Sequence, residues 1–378
     1  MNESSPALAY SAQPKLTTTI LSPMSTREDL SKAYTPGIAE VCKVIEADPA
    51  AMFTHTFRRN NLAVISDGSA VLGLGNIGHK ASYPVMEGKA MLFKRFGKID
   101  AIPIIVNTQD SEEFITAVAR IADSFAAINL EDIAAPRCFE IEESLKEMLE
   151  IPVMHDDQHG TAVVVLAAVI NALELSPKRK YDTKIVAVGA GAAGIAIVKL
   201  LLSYGFTDVT LVDSRGIVSG DRSDLTAEKL GMVPLTNPEQ RNGDVAEALR
   251  AAEIFIGVSR AGLLTPELVK LMAPEPIVIA MANPVPEILP EVALAAGVAV
   301  MATGRSDFAN QVNNALAFPG IFRAAIDTRS KITEKMKVAA AEAILEYHRP
   351  SLSRENLLPS ILDGKVHEFI AEKVRAAV

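Results

Sequence analysis

The stretch KIVAVGAGAAGIAIVKLL, Lys184 to Leu201, decides the fold. A short apolar run, KIVAV, leads into glycines 189, 191 and 194 in the spacing G-x-G-x-x-G, and the apolar residues beyond Gly191 read as a helix running to Leu202. Each glycine has a physical task. Gly189 permits the tight turn, Gly191 lets the backbone approach a pyrophosphate, and Gly194 lets helix and strand pack closely. The helix N-terminus adds N–H donors and a positive dipole end. The next apolar run, DVTLVD, ends at Asp213, 19 residues after Gly194, where a carboxylate suits a ribose diol. A ligand-free glycine-rich turn would explain the glycines but would leave Asp213 a coincidence. A dinucleotide site is therefore predicted at Gly189, Gly191, Ala193, Gly194 and Asp213.

Working outward, the runs EIFIGV, IVIAMA and VAVMATG follow at intervals that leave room for helices, which predicts a doubly wound, mostly parallel sheet. Upstream, LAVIS, AIPIIVN, AAINL and PVMH alternate with helical patterns near Val85–Phe96, Ser111–Ser124 and Glu140–Leu149. The fold class is α/β: an N-terminal α/β unit, then a Rossmann-type dinucleotide-binding unit, then C-terminal helices. The expected boundaries are 1–157 for the first, 158–325 for the second and 326–378 for helices packing back on the body.

A second glycine triad lies at Gly73, Gly75 and Gly78, in AVLGLGNIGHKA. It fails the contextual test that the first passes. His79 to Tyr83 intervene before Pro84, which disfavours helix just before it, so a loop is expected here, its glycines admitting another element or a small anion.

Bulk composition narrows the function. The chain has 378 residues, 49% hydrophobic and 22% charged, enough for two domains with sizeable cores. A net charge of -9 and the lack of any basic run interleaved with aromatics argue against nucleic acid and anionic membrane as partners. Two cysteines, Cys42 and Cys138, make neither a disulfide framework nor a thiolate metal site and fit the cytoplasm. The N-terminal residues carry no secretory pattern and read as a loose arm. TAVVVLAAVINAL, from Thr161, falls short of the ~18 residues of a spanning helix and reads as a buried one.

Two acid pairs, Glu131–Asp132 and Asp156–Asp157, follow apolar runs, where the strands of an α/β sheet end and sites are built. Each pair alone reads as solvated loop acids. Converging, they would repel, and a hard divalent cation with oxygen ligands, Mg²⁺ or Mn²⁺, would resolve the repulsion. Lys89, flanked by apolar residues in PVMEGKAMLFKRF, reads either as a lysine snorkelling its stem over a helix or as a partly desolvated general base with a lowered pKa. Tyr34, before a Thr-Pro-Gly turn, reads alone as a core or rim tyrosine, and His79, His155 and His159 read either as structural or as supports of other ligands rather than ligands themselves.

Together these residues resemble the malic enzyme family in its small bacterial and archaeal form. The similarity runs through AYTPGIAEVC, GLGNIG, PVMEGKA, INLEDI, HDDQHGTA, VGAGAAG, ANPVPEI and GRSDFANQVNNALAFPGIF in family order. The resemblance implies a catalytic tyrosine at Tyr34, a catalytic lysine at Lys89 partnered by Asp156, and metal ligands at Glu131, Asp132 and Asp157. It implies substrate contacts at Asn283 and at Asn313, with Asn314 the alternative to the latter. Larger relatives carry a malate-binding arginine where this chain has Ser69, Ala70 and Val71, and some bacterial relatives carry an acetyl-transferase-like extension that is not expected here. The implied activity is oxidative decarboxylation of (S)-malate to pyruvate and CO₂ by a homodimer using Mg²⁺ or Mn²⁺ and NAD, with NADP admitted by Arg215. The alternative is a malolactic-type or non-decarboxylating 2-hydroxy acid dehydrogenase.

Overall fold

The computed structural model describes residues 5–71, 73–179 and 182–378. The first sheet holds four parallel strands, β1 (Asn61–Ser66), β2 (Asp100–Ile105), β3 (Ile128–Leu130) and β4 (Val153–His155), in the order β2-β1-β3-β4. Parallel strands need crossovers, and helices His79–Leu92, Ser111–Ile121 and Arg137–Met148 supply them. Because β1 lies inside the sheet it is covered on both faces, which is why its apolar run does not alternate with polar residues.

The second sheet takes the order β10-β9-β8-β5-β6-β7. Its strands are β5 (Lys184–Val188), β6 (Asp208–Asp213), β7 (Gly216–Ile217), β8 (Ile254–Gly257), β9 (Ile277–Ala280) and β10 (Val300–Thr303), of which only the short β7 is antiparallel. The chain moves from β5 to β6 on one side and returns to β8 on the other. That reversal opens a crevice at the carboxyl ends of the strands, where ligands of such sheets sit.

Helix Asp156–Glu174 joins the two halves. From Ala162 to Ala172 every residue is buried, so the run read as a buried helix is one, packed against helices Ala192–Tyr204 and Glu334–His348. Helices Phe318–Thr328 and Gly364–Arg375 close the far side, with Phe318 and Phe322 meeting Phe93. The N-terminal helices Pro6–Ser11, Arg27–Ala33 and Ile38–Ala47 bury no residue at all, and Ile20, Leu21 and Tyr34 are exposed.

The helix over the second glycine triad departs from expectation. It starts directly after Gly78, at His79, and carries Pro84 inside it rather than ending there. Pro84 forfeits one helical hydrogen bond. Burial of Ser82, Met86, Lys89 and Ala90 along the same face offsets that loss.

Candidate active site

Glu131 and Asp132 leave the end of β3, and Asp156 and Asp157 leave the end of β4, on neighbouring parallel strands. The Glu131 N–H donates to the Ile65 carbonyl at 2.9 Å, extending the ladder to β1, and Asp132 adopts a left-handed φ of 55°. The Asp132 N–H donates to Asp157 Oδ2 at 2.8 Å, stitching the two acid pairs together. Glu131, Asp132 and Asp157 offer carboxylate oxygens within 4.8 Å of one another. An all-oxygen donor set gathered from two strand ends fits a hard divalent cation.

Lys89 reaches this cluster from the His79–Leu92 helix. Its Nζ lies 2.6 Å from Asp156 Oδ2 and 2.7 Å from Glu131 Oε1, and 4.4 Å from the centre of the Phe318 ring. The snorkelling alternative is excluded, since its side chain is only 7% exposed. The expected lowered pKa is corrected: burial pulls Lys89 down, but Asp156, Glu131 and Asp157 outweigh it and hold the ammonium well above its ordinary range. Burial in turn pushes Glu131 up to about 7 and Asp156 and Asp157 up to about 6, against the pull of Lys89. One ammonium faces four carboxylates, so excess negative charge remains.

Three residues that sequence reasoning left without a role shape the pocket. Asn129 Nδ2 donates to Glu131 Oε2 at 2.8 Å. Gly160 stands one turn beyond Asp156, and a Cβ there would lie 1.8 Å from Asp156 Oδ1, so only glycine leaves that carboxylate its place. Ser69 does not simply vacate an arginine's position: its Oγ donates to Asp67 Oδ1 at 2.5 Å and accepts from the Ala134 N–H at 2.9 Å, while Arg137 Nη1 pairs with Asp67 at 2.9 Å. The run H-D-D-Q-H-G and the pair Asn129, Glu131 were the available signals.

Behind the acids lies a buried polar chain. Glu142 Oε1 accepts from the His155 N–H at 2.9 Å, its Oε2 lies 2.9 Å from His159 Nε2, and Lys337 Nζ lies 3.0 Å from His159 Nδ1 and pairs with Glu334. His155 and His159 thus belong to a buried polar network, and His155 Nε2 also lies 3.4 Å from Asp157 Oδ2. Burial lowers both His155 and His159 to about 4, despite Glu142. The unfolded chain takes up protons at these sites below an ordinary histidine pKa of about 6.5, while the native state takes them up only near 4, so stability drains as pH falls across that window. Urea midpoints at pH 7, 6 and 5 should accordingly fall more steeply in the wild type than in His159→Gln, and equal slopes would contradict this account.

At the second sheet, Gly189 turns at φ 118° with its Cβ position 2.4 Å from the Val258 carbonyl oxygen, and Gly194 would meet the Gly189 carbonyl at 1.7 Å. Gly191 has nothing within 4 Å of its Cβ position, and as N-cap of Ala192–Tyr204 it offers no side-chain acceptor. An open cradle at a helix N-terminus, which a Cβ would fill, fits a pyrophosphate. Ala193 lies in the first turn. Glu287 of ANPVPEI, quoted in the sequence but given no role there, is buried and accepts from the Ser259 N–H at 2.8 Å and the Ala282 N–H at 3.0 Å, tying the loops after β8 and β9.

The first glycine loop joins the halves instead. Gly73, at φ 74°, would place a Cβ 2.5 Å from the Asn283 carbonyl oxygen. Asn313 accepts from the Ala315 N–H through Oδ1 at 2.9 Å, leaving its amide donors, and Asn314 lies against Gly160 beside Asp156. Tyr34 is not brought to the cluster: it is 67% exposed at the end of helix Arg27–Ala33.

Fold and site define a class, an α/β protein whose Rossmann-type dinucleotide-binding sheet stands beside a buried lysine and carboxylate pocket. Residues 13–146 match the malic enzyme N-terminal domain, and residues 158–378 the malic enzyme NAD binding domain. The NAD-dependent malic enzyme of Geobacillus stearothermophilus is 52% identical over 366 residues, 96% of this chain and 76% of that protein. The bifunctional malic/malolactic enzyme of Bacillus subtilis is 51% identical over 353 residues, 93% of this chain and 86% of that protein. The crystal structure of the NAD-dependent malic enzyme from Thermotoga maritima superposes with a TM-score of 0.95 at 47% identity, covering 98% of this chain and 99% of that one. The chain belongs to the malic enzyme family.

Proposed function

We propose that this chain catalyses the divalent-cation-dependent oxidative decarboxylation of (S)-malate to pyruvate and CO₂, reducing NAD or NADP. The carrying observation is Lys89 held between Asp156 and Glu131 inside the acid cluster. When bound, Mg²⁺ or Mn²⁺ would supply polarisation of malate's oxygens, and a nicotinamide would supply the acceptor for the hydride leaving C2. Glu131, Asp132 and Asp157 are the proposed metal ligands. A cation on Glu131 and Asp157 would leave Lys89 with Asp156 alone and so would weaken the hold of the acids on its proton. Lys89 then takes the proton of the C2 hydroxyl, and Asp156 holds the resulting charge. After the bond from C3 to its carboxylate breaks and CO₂ leaves, the later proton to C3 is assigned to a Tyr34 that only a second copy of the chain could bring to the cluster, since within one chain it stands exposed away from it. The amides of Asn283 and Asn313 orient the substrate carboxylates.

Tyr34 sits on a segment that exposes Ile20, Leu21 and Leu30, apolar groups that a partner would cover. We infer a homodimer with this segment at the contact. We also assign residues 1–157 to substrate and metal, 158–325 to the dinucleotide and 326–378 to the closing helices, and we place the enzyme in the cytoplasm. Among the described residues no helix is long and apolar enough to cross a membrane.

Initial rates with malate, each nucleotide and Mn²⁺, with pyruvate, CO₂ and reduced nucleotide quantified together, test the reading. Equal yields support it; lactate without net reduction favours the malolactic alternative. The nucleotide loop has its own test. Gly191→Ala meets open space at a permitted φ of −94°, so it should weaken nucleotide binding by about tenfold or more with an unchanged thermal midpoint. Gly194→Ala strikes backbone and should lower the midpoint as well. If Gly75→Ala weakened nucleotide binding and Gly191→Ala did not, the two loops would have exchanged roles.

A further inference from the structure

Asp213 ends β6 where an adenosine ribose would lie, yet its carboxylate is already occupied. Arg222 grips it with two prongs, Nη1 to Oδ1 at 2.9 Å and Nη2 to Oδ2 at 3.0 Å. Lys229 Nζ adds a contact to Oδ2 at 2.7 Å, and the Arg215 N–H donates to Oδ1 at 2.9 Å. Four donors fill the roughly four acceptor sites of an ionised carboxylate. Burial raises the Asp213 pKa, but these bonds prevail and hold it at about 2, so it is charged and saturated at neutral pH.

A free carboxylate at this position selects NAD twice over, by accepting the ribose diol and by repelling a 2′-phosphate. Here both effects are cancelled. Arg215 is 70% exposed and reaches Asp224 only at 3.4 Å, while Asp224 is held chiefly by Arg222 at 2.7 Å; Asp221, the remaining acid nearby, turns to Ser219 and Asn242. Arg222 spends its N–H groups on Asp213, Asp224 and the Gly216 and Ile217 carbonyls, so it neutralises the acid, while Lys229 and the exposed Arg215 are the cations with donors to offer a phosphate.

We propose that Arg222 and Lys229, by saturating Asp213, set the nucleotide specificity of this chain and make it accept NADP as well as NAD. The inference rests on the reading that residues 189–213 hold the dinucleotide. Arg222 and Lys229 are specificity-determining residues, and Asp213 is their anchor rather than a reader of the diol.

Calorimetric titration of the full chain with NAD and with NADP, without malate, tests this independently of turnover. The wild type should bind both within about tenfold of each other, and Arg222→Gln, which leaves Asp213 charged against a 2′-phosphate, and Lys229→Gln, which loses a charge-assisted bond, should each weaken NADP by about tenfold or more. NAD should not weaken, because Asp213 regains acceptors. Arg222→Lys should retain more NADP affinity than Arg222→Gln, and Asp213→Asn, which frees both cations, should tighten NADP. Thermal unfolding confirms that each variant is folded. Parallel weakening of both nucleotides, or a wild-type preference for NAD beyond about 10²-fold, the sum of two such bonds, would overturn the proposal. If the wild type bound neither nucleotide, the dinucleotide reading itself would fall, and this inference with it.

Discussion

Lys89→Ala is expected to lower kcat for malate oxidation by about 10²-fold or more, the usual scale for a positioned acid–base group. The same change strips the ammonium from two buried carboxylates, Glu131 at 2.7 Å and Asp156 at 2.6 Å. Breaking a buried pair costs about 3–5 kcal/mol, so this variant alone confounds catalysis with folding. Lys89→Arg separates them. A guanidinium keeps the positive charge but does not give up its proton at accessible pH, so the variant should hold most of its thermal midpoint and little of the rate. The pH dependence has a fixed sign: the surrounding acids favour charged Lys89, and the base is the neutral form, so wild-type kcat rises with pH on its acid side. Residual turnover in Lys89→Arg should lack that rise. Turnover within tenfold of wild type in the arginine variant would remove Lys89 from the chemistry.

Asp157→Asn and Glu131→Gln should each raise the dissociation constant for Mn²⁺ by about 10²-fold or more, beyond what loss of an outer hydrogen-bonding partner costs a metal site. Chelation should abolish malate turnover in the wild type and leave its circular dichroism unchanged. Because a ligand bound only by the folded state stabilises it by about 2.7 kcal/mol at 100 times its dissociation constant, added Mn²⁺ should raise the wild-type midpoint and leave both variants unmoved. The metal-free proteins carry a second signature. Burial and the neighbouring Asp156 push the Asp157 carboxyl up to about 6, so its charged form destabilises the metal-free fold above that pH, and Asp157→Asn should be at least as stable as wild type there. Full turnover in thoroughly chelated enzyme would refute the metal assignment.

Much of this site was legible because it obeys local rules. The turn and helix after β5 follow from glycine sterics and periodicity within a single stretch, and the acids at the ends of β3 and β4 follow from where apolar runs stop. The helix start at His79 was not legible. Pro84 argues against it locally, and only the burial of Met86, Lys89 and Ala90 against other elements overrides the argument. Gly160 escaped for the same reason in reverse, since the clash that forbids a side chain there is with Asp156, visible only once the helix is wound.

The sequence by itself determined the fold class, the glycine-rich turn after β5, the family and the position of two acid pairs at strand ends, because each depends on residue types at short, fixed spacing. Tertiary structure alone decided how those groups are charged and what they are free to do. Lys89 is paired with a carboxylate 67 positions away, and Asp213 is saturated by partners 9 and 16 positions later, so a base read as having a lowered pKa is held as a cation and an acid read as free is occupied. Charge state follows from distance and dielectric, which spacing along a chain does not encode.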